Sequence, residues 1–173
     1  CWLEYLPQET ILFASARLNR NTRIEVDRSA KVLAGEMLVF GRLGSGEVFT
    51  KGYLREDWTI YRDGRLAWAD ALLLDDDVTA PLHHPAGFDG ATAMATGVYA
   101  GPDAETYLDD VRELLADEKP GLRAGVSLVN GLLVMRWLAR DPAMLRQSFG
   151  NCWQNFRAAA GGLPARMPRL WEI

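Results

Sequence analysis

Apolar and polar positions alternate with a period of two through most of the first hundred residues, which is the pattern of half-buried β-strands. It predicts strands over Ile11 to Phe13, Arg23 to Val26, Lys31 to Phe40, Glu47 to Leu54, Trp58 to Arg62, Leu66 to Leu74 and Ala91 to Ala100, punctuated by Gly, Asp and Asn. Asp63-Gly64, between Ile60 and Leu66, predicts a tight hairpin, because a type I′ turn needs positive φ at both central residues. At Gly101 the period changes. Ala104, Tyr107, Leu108, Val111, Leu114 and Leu115 recur at helical spacing behind Asp103, a candidate cap, until Lys119-Pro120-Gly121 stops the helix. Asn130-Gly131 then predicts a second hairpin between GVSLV and LLVMRWLA. Asp141-Pro142 supplies an N-cap and a first-turn proline for a helix whose apolar stripe is Leu145, Phe149, Cys152 and Phe156. The tail PARMPRLWEI, with two prolines, is expected to be extended and to pack through Leu170 and Trp171.

No repeat, linker or low-complexity tract interrupts this order, and 173 residues with 49% apolar content suffice for one core, so residues 1–173 are read as a single domain. A net charge of −4 and a pI near 5.2 argue against a nucleic-acid surface. Two cysteines, Cys1 and Cys152, form neither a disulfide framework nor a paired-cysteine metal motif, which fits a reducing cytoplasm. No apolar run approaches the ~20 residues needed to span a bilayer, so a soluble protein is expected. The chain opens without Met, already inside the strand-like run Trp2-Leu3-Glu4-Tyr5, which suggests a start in mid-domain with one sheet edge open.

The candidate chemistry lies in where acids interrupt the apolar alternation. Successive strand residues face opposite sides, so Val32, Ala34, Glu36, Leu38 and Phe40 share one face. Leu66, Trp68, Asp70, Leu72 and Leu74 do the same on the strand after the Asp63-Gly64 turn. A carboxylate taken from water must be paired, protonated or set in a hydrated cavity. Two readings follow: an ion pair with an arginine such as Arg42, Arg55 or Arg65, or a polar passage or metal-handling site between layers. Paired acids also suit glycoside hydrolysis. The sequence, however, has no nucleophile elbow, HExxH or phosphate loop, and GRLGSG reads as a turn between strands. His83-His84 precedes a proline without accompanying ligands at metal spacing and reads as a solvated loop. Cys152 reads as a core residue and Asp75-Asp76-Asp77 as a solvated turn.

Several motifs together resemble one family. Leu6-Pro7-Gln8-Glu9-Thr10-Ile11-Leu12-Phe13 with Ala16-Arg17-Leu18, then Gly35-Glu36 through Gly41-Arg42, Ser45-Gly46-Glu47-Val48-Phe49 and Gly52 are similar to signatures of the urease accessory protein UreD (UreH) family. Arg62-Asp63-Gly64-Arg65-Leu66 with Trp68 and Asp70, Val134-Met135-Arg136 and Pro168-Arg169-Leu170-Trp171 continue the match in order. Ala14-Ser15 departs from it, standing where the family commonly has Asp-Gly. The family carries further strands upstream, so the resemblance implies the C-terminal portion of a longer protein. It also implies a mainly β fold: a right-handed, β-helix-like superhelical stack of short strands, with two α-helices in the C-terminal half. The implied function is a non-enzymatic urease maturation factor that binds UreF, through it the GTPase UreG, and apo-urease, to deliver nickel. No cofactor would be tightly bound, and nickel would be in transit. Glu36 and Asp70 are the first candidates for transient nickel stations, and Glu9 and Glu47, acids inside matching motifs, are secondary ones. A carboxylate-dependent hydrolase and a purely structural adaptor are the alternatives.

Overall fold

The computed structural model describes residues 1–116 and 119–171. The strands are β1 (Trp2–Tyr5), β2 (Thr10–Leu12), β3 (Arg17–Val26), β4 (Lys31–Phe40), β5 (Lys51–Arg62), β6 (Arg65–Asp77), β7 (Ala93–Ala100), β8 (Leu122–Val129) and β9 (Leu132–Ala139). A short α1 (Thr79–His83) and two longer helices, α2 (Leu108–Leu115) and α3 (Pro142–Gly161), complete the regular structure apart from brief 3-10 turns.

The strands form two sheets. The first runs β1-β4-β7-β9-β8, with β2 also paired to β4, and the second runs β3-β5-β6. The chain passes from β1 and β2 to β3 in the other sheet, returns to β4 parallel to β1 and β2, then crosses to β5 parallel to β3. The chain thus alternates between the two sheets through β5. From β6 onward the pairings β5/β6, β4/β7, β7/β9 and β8/β9 are all antiparallel. The mainly β class and the two helices of the C-terminal half are therefore as expected, but the sheets are mixed and do not form a uniform stack of parallel coils. Nor are all the strands short, since β5 and β6 run for 12 and 13 residues.

Both hairpins form for the anticipated reason: Asp63 and Gly64 have φ of 50° and 73°, and Asn130 and Gly131 have 48° and 76°. Asp141 caps α3 by accepting a hydrogen bond from the Ala143 N–H, with Pro142 in the first turn. Asp103 does not cap a helix. Its carboxylate accepts bonds from Lys31 Nζ and the Tyr99 hydroxyl, each at 2.6 Å, and a 3-10 turn over Ala104–Tyr107 leads into α2. In the tail Trp171 packs on Phe149 at 5.6 Å between ring centres, whereas Leu170 is 66% exposed, and the last two tail residues lie outside the described ones. No helix among the described residues is long and apolar enough to cross a membrane.

Two faces of the first sheet carry two interfaces. One face, with Leu33, Met37 and Val39 of β4, packs under the α3 stripe of Leu145, Phe149, Cys152 and Phe156. The other face covers the second sheet. Gly35 is a point of close approach on the helical side: a Cβ built there would lie 2.9 Å from Phe149, Trp153 and the carbonyl oxygen of Thr96. Because the carbonyl belongs to β7 and cannot yield like a side chain, Gly35→Ala is expected to lower stability by about 1–3 kcal/mol, the usual cost of overpacking. Urea denaturation of the variant checks this, and an unchanged midpoint would show that β7 as well as α3 gives way to the added methyl group.

Candidate functional site

The interface between the sheets is not continuously apolar. At one end lie Val26, Val32, Ala34, Trp58, Ile60 and their neighbours. At the other lie Leu12, Leu38, Phe40, Phe49, Leu54 and theirs. Between these two clusters runs a seam of polar side chains. The strand register assembles it: on the first sheet Glu36 of β4 is paired with Thr96 of β7, and Thr96 with Arg136 of β9. On the second sheet Arg20 of β3 is paired with Glu56 of β5, and Trp58 with Asp70 of β6. Alternation turns these side chains inward, and they meet across the gap.

Arg20 sits at the centre of the contacts. Its Nη2 donates to Glu36 Oε2, its Nε donates to Glu56 Oε2 at 2.7 Å, and its Nη1 donates to Thr10 Oγ1 at 3.0 Å. The second oxygen of Glu36 accepts from Trp58 Nε1 at 2.7 Å. Further along the seam Arg136 pairs with Asp70 at 2.7 Å, donates to Thr96 Oγ1 at 3.3 Å and lies 5.8 Å from the centre of the Trp68 ring. Glu36 and Glu56 are each only 4% exposed, while the side chains of Arg20, Asp70 and Arg136 are 23%, 33% and 42% exposed. The seam therefore has a dry middle and wetter ends.

One guanidinium serves two buried carboxylates, and the charge is incompletely matched. Burial raises the pKa of Glu36 above its ordinary value, opposed by the Arg20 charge and the Trp58 N–H, with Asp70 adding a smaller upward push. Burial also raises Glu56, to about 7, and the neighbouring Glu36 charge pushes it the same way while Arg20 opposes. Glu56 Oε1 is buried and has no hydrogen-bond partner among the described residues. Such an oxygen favours a proton or a further cation beside it.

Glu36 and Asp70 thus both occupy the inter-sheet layer, and both are ion-paired, but with Arg20 and Arg136 rather than Arg42, Arg55 or Arg65. Arg42 pairs with Glu47 and Arg55 with Asp57. Glu47 lies in the connection before β5, where it also accepts from the Ala14 N–H, and that backbone bond first and Arg42 second hold its pKa below the ordinary value. Glu9 pairs with Arg146 of α3, on the helical side of the first sheet. Neither Glu9 nor Glu47 joins the seam. His83 and His84 are exposed and turned onto local backbone, at Thr79 O and Ala86 N. Asp75 and Asp76 are exposed at the end of β6, Asp76 facing Lys51, and Asp77 accepts from the Thr79 N–H. Cys152 is core, its thiol pushed up to about 12 by burial. Ser15, at the departure from the family's Asp-Gly, has φ of 63°, the conformation glycine adopts most freely.

Arg20, Glu56, Thr96 and Arg136 were not singled out by the sequence pattern. Glu56 falls in Arg55-Glu56-Asp57, a charged trio that reads as a break between strands but lies inside β5, where alternation through Leu54, Trp58 and Ile60 turns it inward. Arg20 precedes the predicted strand Arg23 to Val26, yet β3 begins at Arg17. Among the described residues no group of three or more His, Cys, Asp or Glu could hold a metal. The seam is thus not a closed structural metal site, which takes about four ligands.

A family model described as UreD urease accessory protein matches residues 1–172. The urease accessory protein UreD of Magnetococcus marinus is 46% identical over 175 residues, covering 99% of this chain and 60% of that protein. UreD of Methylobacterium sp. strain 4-46 is 45% identical, covering 98% and 59%, and UreD of Granulibacter bethesdensis is 40% identical, covering 98% and 69%. The chain belongs to the UreD family, and it spans about three fifths of the length of the first two of these relatives.

The raised pKa of Glu56 has a definite linkage sign. Between its unperturbed value of 4.5 and about 7 the folded state keeps a proton that the unfolded state releases, so stability falls as pH rises through this window and stays lower above it. The full effect is roughly 3 kcal/mol. Glu56→Gln, neutral at every pH, is expected to be more stable than the parent at pH 7.5 and to show a smaller decline between pH 5 and 7.5 in urea denaturation. Equal declines in the two proteins would mean that Glu56 is not held protonated by the fold.

Proposed function

We propose that this chain, as a member of the UreD family, acts in the cytoplasm as a urease maturation factor rather than an enzyme. In this reading it is part of a scaffold that joins apo-urease to UreF and, through UreF, to UreG, and along which nickel passes toward the urease active site. The names of its relatives support the maturation role. The polar seam between the sheets is the observation that carries the nickel part. A cation crossing a protein interior needs oxygen ligands charged enough to offset lost hydration, yet few enough at any point to release it. Glu36 in the dry middle and Asp70 at a wetter end meet both conditions, one on each sheet. Glu9 and Glu47, at partly buried ion pairs outside the seam, are secondary contacts for the ion.

A hydrolase would need two carboxyl groups able to flank a scissile bond in a cleft. Glu36 and Glu56 are instead buried and tied to one arginine, which favours conduction over turnover. A structural adaptor would use the same ion pairs only to hold the sheets together, and isosteric variants separate it from a passage. In the full-length protein, Glu36→Gln and Asp70→Asn keep shape and remove charge. Nickel-dependent urease activation is expected to fall roughly tenfold or more in each, the scale on which altered ligand surroundings change metal affinity, with co-elution with UreF unchanged. Normal activation by both variants would leave the seam a structural device.

A further inference from the structure

The contacts of Arg20 differ from those of an ordinary surface ion pair. Its three donor nitrogens each reach a different oxygen-bearing side chain: Glu36 on β4, Glu56 on β5 and Thr10 on β2. Three strands from two sheets thus present oxygens around one position, and that position holds a positive charge supplied by the protein itself. Two of the three side chains are carboxylates, each 4% exposed. A single guanidinium neutralises only one of them, and the other is left to a proton or a further cation. The remaining buried oxygen, Glu56 Oε1, makes no hydrogen bond among the described residues, although it belongs to a side chain already engaged in the seam.

A divalent cation at the same place would balance the two carboxylates completely, and its ligands would be carboxylate and hydroxyl oxygens, a donor set suited to hard or borderline divalent ions. The guanidinium and such an ion cannot share the position, because both would lie within bonding distance of the same oxygens. Arg20 also has a way out. It stands on β3, an outer strand of the second sheet, its side chain is 23% exposed, and its neighbours on the outer face of β3 are exposed. A long, flexible side chain at such a position exchanges an interior pose for a solvated one by rotation about its own bonds.

We propose that Arg20 is a built-in plug: its guanidinium occupies a divalent-cation seat formed by Glu36, Glu56 and Thr10, and the seat opens to an ion only when Arg20 swings outward. This rests on the reading of the seam as a nickel passage and adds to it a gate and a second acidic station, Glu56. With the plug in, the seam is closed to free metal ions and the two sheets stay bridged. With it out, the two carboxylates are left facing each other and attract a divalent ion strongly. A partner or a conformational change that draws Arg20 to the surface would therefore load the seat, without any residue of the seat itself moving.

Equilibrium dialysis of the full-length protein against Ni²⁺ alone, with metal content measured directly, tests this. Arg20→Met keeps the apolar stem and removes the charge. It is expected to bind one more equivalent of nickel than the parent, or to bind it at least about tenfold more tightly, the size of effect that a change around a metal ligand produces. Arg20→Lys, which restores a positive charge, should return binding toward the parent level. Arg20→Met combined with Glu56→Gln should lose the added equivalent while remaining folded by circular dichroism. An Arg20→Met protein that is folded and binds no more nickel than the parent overturns the plug. So does one whose extra nickel survives Glu56→Gln. If urease activation is lost in Glu36→Gln and Asp70→Asn but Arg20→Met gains no ion, the passage stands and the plug falls. If Arg20→Met gains the ion while those two variants activate urease normally, the seat stands and the passage falls.

Discussion

Two carboxylates buried between two sheets, with one arginine to hold them, set the terms for the rest of this structure. Burying an unpaired charge costs several kcal/mol, and removing one partner of a buried pair typically costs about 3–5 kcal/mol. Arg20 offsets much of the cost of closing the sheets over Glu36 and Glu56. Its contacts bridge β3, β5 and β4 in the observed register. A slip of one residue would turn these side chains, and the apolar ones on either side of them, to the opposite face. The same feature that bridges the sheets leaves a polar layer through the middle of the molecule, where an apolar core would have been more stable.

The helical side has a different role. α3 lies on the far face of the first sheet and buries Phe149, Trp153 and Phe156 against β4, β7 and β9. It gives the first sheet a rigid, dry backing, so the face toward the second sheet is free to carry charge. The Lys31–Asp103 pair and the Arg157–Glu4 pair fasten this backing at its margins. One sheet thus has an apolar face under α3 and another that carries the charged seam, and the period-two alternation of β4 separates the two residue by residue.

That alternation was also the most legible part of the sequence. β4 was anticipated over Lys31 to Phe40, its observed span, and with it the inward position of Glu36, because ten residues of clear alternation between turn signals leave little room for another reading. Asp70 and the two hairpins were accessible for similar reasons. What could not be read was the partner of each acid. Arg20 and Arg136 reach the seam only through the pairing of β3 with β5 and of β9 with β7, and pairing between strands distant in sequence leaves no local mark. Glu56 was hidden by its charged neighbours: Arg55 and Asp57 face outward and pair with each other, so the trio looks like a loop although only its middle residue is buried. The mixture of parallel and antiparallel pairing was equally invisible, since both give the same period. The 3-10 start before α2 was concealed because Asp103, a good cap by type, is engaged by Lys31 and Tyr99 instead.

The central claim is that the layer between the sheets is a path for a divalent cation and not merely an ion-pair network. Diffraction at the nickel absorption edge, from crystals of the full-length protein equilibrated with Ni²⁺, addresses it most directly. The account predicts an anomalous peak between β4 and β5, within coordinating distance of Glu36 and Glu56, when Arg20 is replaced by methionine, and no peak at that position while the Arg20 guanidinium fills it. Peaks confined to the exposed His83-His84 corner or to surface carboxylates, with the seam empty in both proteins, would contradict it.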